Sequence, residues 1–599
     1  MTKKLFTVDF EPLGRRAQVA HGTTLLEAAH QAGVGLNAAC GGAGVCGACR
    51  VRVVAGEVSP PTEAEEAGFR LACQTRVLGD VRVDVPPDSI TAPQRVQIEG
   101  RERPVELDPA VRAFDVTLEP PSLSDLRADV TRLRQSPVFA GEDIKFDHGA
   151  LVQLPGLLRS GDWRVRVVTD GDQVIAALPA GDSLLGLAVD SGTTKLAAYL
   201  VDLEAGETLA VAGAMNPQIA YGEDVMARIA YAMKGEAQAR ELQQVLVDGL
   251  GGLVDELCER ADCGDSAVVV EAVLVGNTCM HHLVLGLPAN SLGLAPYVPI
   301  LADAYDLKAR DLRLRLAPGV NVHLLPNVAG FVGADHVAMV LATGIHETDK
   351  VTLGLDIGTN TEIVLATGGV GGRLLSCSCA SGPAFEGAHI RDGMRAAPGA
   401  VERVRLVGEQ VEYQTIDDAP PVGICGSGIL DAVAEMLRAG VLQVSGAMVG
   451  ESHPRVRGSG GSAEFLLVPA GERDAPRDLA ITRKDINEIQ LAKAAIRAGT
   501  EVLLSEAGLE AEQIEQVVVA GAFGTYLDVG SALAIGMFPT LPQERFVQVG
   551  NAAGMGAKMA LVSHHCRETA KEIARRVEYV ELTAHPRFVK LYAIALMLP

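Results

Sequence analysis

Four thiols fall within residues 40–73. Cys40, Cys46 and Cys49 stand in the run Cys40-GGAGV-Cys46-GA-Cys49, and Cys73 follows after 23 further residues. Thiolates at this spacing can converge on two irons bridged by two sulfides, three from one compact loop and the fourth from a distant strand. The glycines at 41, 42, 44 and 47 would let the backbone wrap a 2Fe–2S cluster and turn its N–H groups toward sulfur. The chemistry of such a centre is one-electron transfer. A structural zinc site or ordinary buried thiols are the alternatives, but zinc ribbons favour two C-x2-C pairs and this run has one. No G-x-G-x-x-G in a strand–turn–helix setting accompanies it, so an external low-potential donor must supply the electrons.

A second chemistry is suggested further along. No G-x-x-x-x-G-K-[ST] loop is present, so bound phosphates would need another device. Two Asp-x-Gly-Thr turns offer one: Asp190-Ser-Gly192-Thr193-Thr194 and Asp356-Ile-Gly358-Thr359-Asn360. Each tight turn can present backbone N–H groups and hydroxyls to an anion. Each aspartate ends an apolar strand, where it could hold Mg²⁺ through the ion's waters. Downstream, EQVVVAGAFGTYL places Gly521, Ala522, Phe523 and Gly524 between a buried strand and a helix, which suits close backbone approach to an adenosine. Taken singly, each Asp-x-Gly-Thr is a weak signal that reads better as a plain hairpin turn. Glu362 lies near the second turn, but the sequence does not fix its direction and assigns no catalytic base.

These groups need elements to position them. LFTVDF and RRAQVA alternate as two strands; TTLLEAAHQAG reads as a helix with Thr23 or Thr24 as N-cap and Gly33 as its stop; VRVVAGEV and GDVRVDVP complete a sheet. That order is compatible with a β-grasp. Residues 87–115 are rich in proline and charge without periodicity and read as a linker. SLSDLRADVTRLR spaces Leu123, Leu126, Val130 and Leu133 as one apolar helix face, and WRVRVVTDGDQVIAALP predicts a hairpin around Asp170-Gly171. LGLAVDSGTTKLAAYLVDL and LGLDIGTNTEIVLATGG then form a near-repeat, implying two related halves facing each other. The expected organisation is multidomain α/β. A ferredoxin-like domain occupies 1–86, a linker 87–115, a small α+β middle domain 116–182, and a duplicated ATPase domain 183–599.

The five-residue gap between Cys40 and Cys46, and LACQTRV around Cys73, resemble the adrenodoxin-like branch of 2Fe–2S ferredoxins. The two Asp-x-Gly-Thr turns and the GAFG loop, in that order, resemble the acetate and sugar kinase/heat-shock cognate/actin superfamily. Its members bind ATP with Mg²⁺ between duplicated halves, using two phosphate loops and one adenosine loop. The whole chain resembles the reductive activators of corrinoid-dependent proteins. The likeness extends through VGNTCMHHLVLG (275–286), LPNVAGFVGAD (325–335), ASGPAFEGAHI (380–390), CGSGILD (425–431) and GNAAGMGAKMA (550–560). It implies ATP-dependent return of cob(II) to cob(I) on a partner corrinoid protein or corrinoid-dependent methyltransferase. The cobalamin-binding pattern D-x-H-x-x-G is absent, so cobalt is expected on the partner.

Composition narrows the classes. A formal net charge of -23 argues against nucleic acid, which calls for a basic face. MTKKLFTVDFEPLGRR lacks an apolar run of secretory length, so no signal peptide is expected. The uncharged stretch 272–302 is broken by Asn277, His281, His282, Pro288, Asn290, Pro296 and Pro299, which would strand polar groups in lipid. It reads as buried strand, helix and loop. No membrane partner is expected, the setting is cytoplasmic with reduced thiols, and a homodimer is compatible. His281 and His282 diverge on a helix and read as packing; Cys377 and Cys379 share one strand face as buried thiols; His564-His565-Cys566 reads as helix. For ASGPAFEG, partner contact and cleft lining are equally open. Two other functions fit the same motifs: a small-molecule kinase with a redox-sensing ferredoxin domain, and an ATP-binding assembly module whose cluster is structural.

Overall fold

The computed structural model describes residues 5–599 apart from 12–14, 33, 39, 41, 63–67, 87–88, 90–97, 223, 265, 318, 370, 388–389, 451 and 476–477. Strands Leu5–Glu11 and Arg15–Ala20 pair antiparallel, and Leu5–Glu11 runs parallel to Val77–Asp84. Arg50–Val58 and Arg70–Leu71 complete a five-stranded mixed sheet. Helix Leu25–Gln31 packs on it, burying Leu25, Leu26, Ala28 and Ala29 against Val8, Phe10, Val51 and Val83. This is a β-grasp. Of the two threonines, Thr24 is the N-cap: its side chain takes the Glu27 N–H while Glu27 bonds back, a capping box. Gly33, expected as the helix stop, lies outside the described residues.

Residues 98–108 lie extended along the C-terminal part of the chain. Tyr199 donates to the Ile98 carbonyl (2.6 Å), Arg101 N–H to Val549 and Asp108 N–H to Val562 (both 2.9 Å), and Glu102 pairs with Lys558. Within the span read as linker the chain also begins a new sheet, because strand Val111–Thr117 pairs with Arg164–Asp170. Gln173–Pro179 and Lys145–Phe146 finish this four-stranded sheet, and the expected hairpin turns at Gly171 with φ 55°. The expected helix face of Leu123, Leu126, Val130 and Leu133 is corrected. The helix spans only Asp129–Arg134, with Leu123 100% and Leu126 80% exposed. Asp125 is the reason: it accepts from Arg127 and Arg132, and Ser122 and Asp125 exchange backbone hydrogen bonds, holding 122–127 as a turn.

The remaining chain forms two six-stranded sheets of matching plan. In the first, Leu185–Ser191 pairs antiparallel with Lys195–Asp202 and parallel with Val269–Gly276. In the second, Thr352–Ile357 pairs antiparallel with Thr361–Ala366 and parallel with Gln516–Ala520. Apolar strands buried on both faces supply a core in each half. The halves meet where helix Ala552–Val562 crosses helix Ala334–Thr343. A Cβ on Gly556 would stand 2.1 Å from the Ala338 carbonyl oxygen, so only glycine permits this approach. The uncharged stretch resolves into strand Val269–Gly276 and helix Thr278–Leu285, capped by Asn277. Among the described residues no helix is long and apolar enough to cross a membrane.

Candidate functional site

The thiols come together in two pairs. Cys40 and Cys46 sulfurs lie 3.3 Å apart, as do those of Cys49 and Cys73. Metal–sulfur bonds of about 2.3 Å put two thiolates on one tetrahedral ion roughly 3.8 Å apart. Two pairs therefore suit two irons, one pair each, and no larger donor group around a single ion is found among the described residues. Gly42, Gly44 and Gly47 take φ of 85°, 80° and 70°, conformations that side chains resist. The wrapped loop aims Ala48 N–H at Cys46 sulfur (3.5 Å), and Gln74 Nε2 reaches Cys73 sulfur (3.7 Å). The donor set fits a 2Fe–2S cluster.

Both Asp-x-Gly-Thr turns are hairpin turns, and they face each other across one cavity of about 190 Å³. Asp190, Gly192, Thr193, Thr194, Asp356, Gly358, Thr359, Asn360, Gly521 and Phe523 line it. Ala522 opens the short helix Ala522–Tyr526. Gly524 sits behind the wall against Val519, its carbonyl taking Gln548 Nε2 at 2.7 Å. Two buried side chains orient the first turn. Asn216 Nδ2 donates to the Gly192 carbonyl (2.9 Å), and Arg228 Nη2 to the Thr193 carbonyl (2.5 Å). In a trans peptide the C=O and the next N–H point oppositely, so pinning these carbonyls inward turns the Thr193 and Thr194 N–H groups toward the cleft. Neither N–H donates to a backbone carbonyl among the described residues.

The floor is acidic. Asp190, Asp356 and Glu362 are joined by Asp335, from the first turn of helix Ala334–Thr343. Burial first, then the Asp335 charge, pushes Asp190 up to about 7; burial, Asp335 and Asp190 push Asp356 up to about 8. Asp335 rises to about 6 through burial, and Glu362, which accepts from Ser378 Oγ at 3.2 Å, is raised well above the carboxylate range by burial and its acidic neighbours. Carboxylates crowded in this way resist ionisation, because burial and each neighbour's charge both disfavour the charged form.

Gly521 packs against the second turn. Its φ is 88°, and a Cβ there would stand 2.5 Å from Asp356 Oδ1 and 2.6 Å from the Ile357 carbonyl. Gly521→Ala is therefore expected to weaken ATP binding at least about tenfold, measured by calorimetry, because the clash falls on the second turn itself.

Asn216, Arg228 and Asp335 are site residues that the sequence motifs did not single out, whereas Glu386 belongs to ASGPAFEG, whose Phe385 and Glu386 line the cleft. Asp335 and Glu386 do lie in two of the resembling segments. The histidines pack as expected: His282 Nδ1 contacts the Thr278 carbonyl (2.8 Å) and its Nε2 accepts from Ile300 N–H (2.9 Å), while His281 faces Asn327. Cys377 and Cys379 are buried, and His564 begins helix His564–Arg576.

Comparison with known proteins covers the whole length. In chain order, family models match a 2Fe-2S iron-sulfur cluster binding domain over 8–78, the RACo linker region over 100–183, the RACo middle region over 185–348, and the C-terminal domain of RACo, the ASKHA domain, over 350–599. The chain is 32% identical over 581 residues to the corrinoid activation enzyme RamQ of Eubacterium limosum, covering 94% of each. It is 26% identical over 425 residues to the Co(II) methylated amine-specific corrinoid protein reductase of Methanosarcina barkeri, covering 66% of this chain and 73% of that one. The solved structure of a reductive activator for corrinoid, iron-sulfur protein superposes with a TM-score of 0.73 at 34% identity, over 99% of this chain and 98% of the other.

Proposed function

We propose that this chain, which belongs to the family of reductive activators of corrinoid proteins, uses ATP to pass one electron to the cob(II) centre of a partner and regenerate cob(I). The partner is a corrinoid protein or corrinoid-dependent methyltransferase, and an external low-potential carrier in the cytoplasm supplies the electron. The observation that carries this reading is the presence, on one chain, of two sulfur pairs and an acidic two-turn cleft. When bound through Cys40, Cys46, Cys49 and Cys73, the cluster supplies a reversible one-electron couple.

The chain's own residues do the rest. Asp190 and Asp356 would hold Mg²⁺, helped by Asp335 and Glu362, while the Thr193 and Thr194 N–H groups face the phosphates. Phe523 and the glycine at 521 form the adenosine wall. The first domain rests on the ATPase through the His30 ring, 4.8 Å from that of Tyr221, which ends the turn Pro217–Tyr221 following Asn216. That turn joins the first phosphate loop to the surface carrying the electron-transfer domain, a route by which nucleotide can bias docking. Energy input is needed because cob(I) is a very strong reductant. Each ~59 mV of uphill one-electron mismatch is a factor of about ten against transfer.

The test mixes the protein with ATP, a low-potential donor and a cob(II) partner while cob(I) absorbance is followed. A rise that requires ATP, with the γ-phosphate released to water, is the expected result. Transfer of that phosphate to a metabolite would instead mark a kinase.

A further inference from the structure

Glu386 stands between the two phosphate turns. Its Oε1 accepts from the Thr359 hydroxyl at 2.8 Å and lies 3.2 Å from that of Thr194, and its Oε2 is also 3.2 Å from Thr194. The two hydroxyl oxygens are themselves 2.6 Å apart. Thr194 and Thr359 are both buried, and each hydroxyl carries a single proton. Both protons are thus committed within the protein, that of Thr359 to Glu386 and that of Thr194 to Glu386 or Thr359. A phosphate oxygen arriving between the turns needs the same protons, and its charge is repelled by the carboxylate already there. The neighbouring residue extends the contact to the adenosine side, since Phe385 stacks on Phe523 with centroids 4.8 Å apart and planes at 15°. Residues 385 and 386 therefore touch all three nucleotide loops.

Resting on the nucleotide reading of the cleft, we infer that Glu386 is a positioning residue that occupies the phosphate seat of the nucleotide-free protein. It clamps the two turns together through Thr194 and Thr359, and the phosphates of the nucleotide must displace it. Adenosine, which has no phosphate, meets no such competitor.

The test compares affinities of the full-length, cluster-loaded protein for a non-hydrolysable ATP analogue with Mg²⁺ and for adenosine. Glu386→Ala removes the competitor and is expected to bind the analogue about tenfold more tightly, with adenosine within about twofold of wild type. Glu386→Gln keeps the size but drops the charge, and a smaller gain in the same direction is expected. A folded variant with unchanged or weaker analogue binding overturns the inference, as does an equal gain for adenosine. If the alanine variant does not fold, the glutamine variant decides by the same criteria. Wild-type protein that binds no analogue removes the nucleotide reading and this inference together. Wild-type binding with indifferent variants removes only the role of Glu386.

Discussion

Cys46→Ser is expected to lose the visible and EPR signature of the cluster and to bring ATP-dependent corrinoid reduction down to background, while ATP binding stays within about twofold of wild type. The pairing of sulfurs is the reason. Cys46 shares its side of the site with Cys40 at 3.3 Å, so its loss leaves one iron with a single protein thiolate. The nucleotide cleft should respond by no more than this, because the first domain has its own core of Val8, Phe10, Leu25, Val51 and Val83, and its contact at Tyr221 leaves the cleft-lining residues untouched. The same variant separates the alternatives. A kinase with a sensing domain would keep its phosphate transfer, and an assembly module with a structural cluster would lose folding stability in the first domain without any turnover to lose.

Asp356→Asn is expected to stabilise the nucleotide-free protein at pH 8 while weakening Mg²⁺-dependent ATP binding by roughly 100-fold. Asp356 sits with Asp190, Asp335 and Glu362 at the floor of one cleft. Its carboxyl is pushed up to about 8 from an ordinary value of 3.8, by burial and then by Asp335 and Asp190. A raised folded-state value means the native protein holds more protons than the unfolded chain between about pH 4 and pH 8. The stability this group contributes is therefore full below pH 4 and lost as pH rises through 8. Asparagine cannot ionise, so the advantage of the variant should grow with pH across that window and show as a Tm raised by a few degrees at pH 8. Mg²⁺ should narrow the difference by offsetting the charge in the wild type. A variant no more stable than wild type at pH 8 would mean the four carboxylates do not repel one another as placed.

How much of this was written in the sequence depended on whether the relevant spacing is local. The gathering of the four thiols was legible because three cysteines share a ten-residue loop and glycines dictate its path. The two Asp-x-Gly-Thr turns were legible because each is a hairpin whose apolar strands announce themselves, and the repeat of the pattern implied the matched sheets. Leu123 and Leu126 misled because spacing alone cannot weigh a competing turn: the Asp125 carboxylate, engaged by Arg127 and Arg132, outbids helix formation over 122–127. The strap at 98–108 carries no periodicity because it is held by single backbone bonds to Val549 and Val562, and by the Gly100–Gly550 bridge, instead of by a repeating face. Asp335 and Glu386 reach the cleft, and Arg228 the back of the first turn, from three separate segments. Only the packing of helix Ala334–Thr343, of the turn after Gly382–Phe385 and of helix Val225–Ala232 brings them there. Burial raises the Asp190 and Asp356 carboxyls, and burial is a property of the assembled halves.

The most direct measurement is a single turnover followed by EPR. Protein with its cluster reduced and all external donor removed is mixed with a cob(II) partner, with and without ATP. The expected result is that ATP makes the reduced-cluster signal and the cob(II) signal disappear together, one for one, while both persist without nucleotide. Loss of cob(II) at the same rate without ATP, or an ATP-treated sample in which both signals survive, would contradict the coupling of the two ends of this chain.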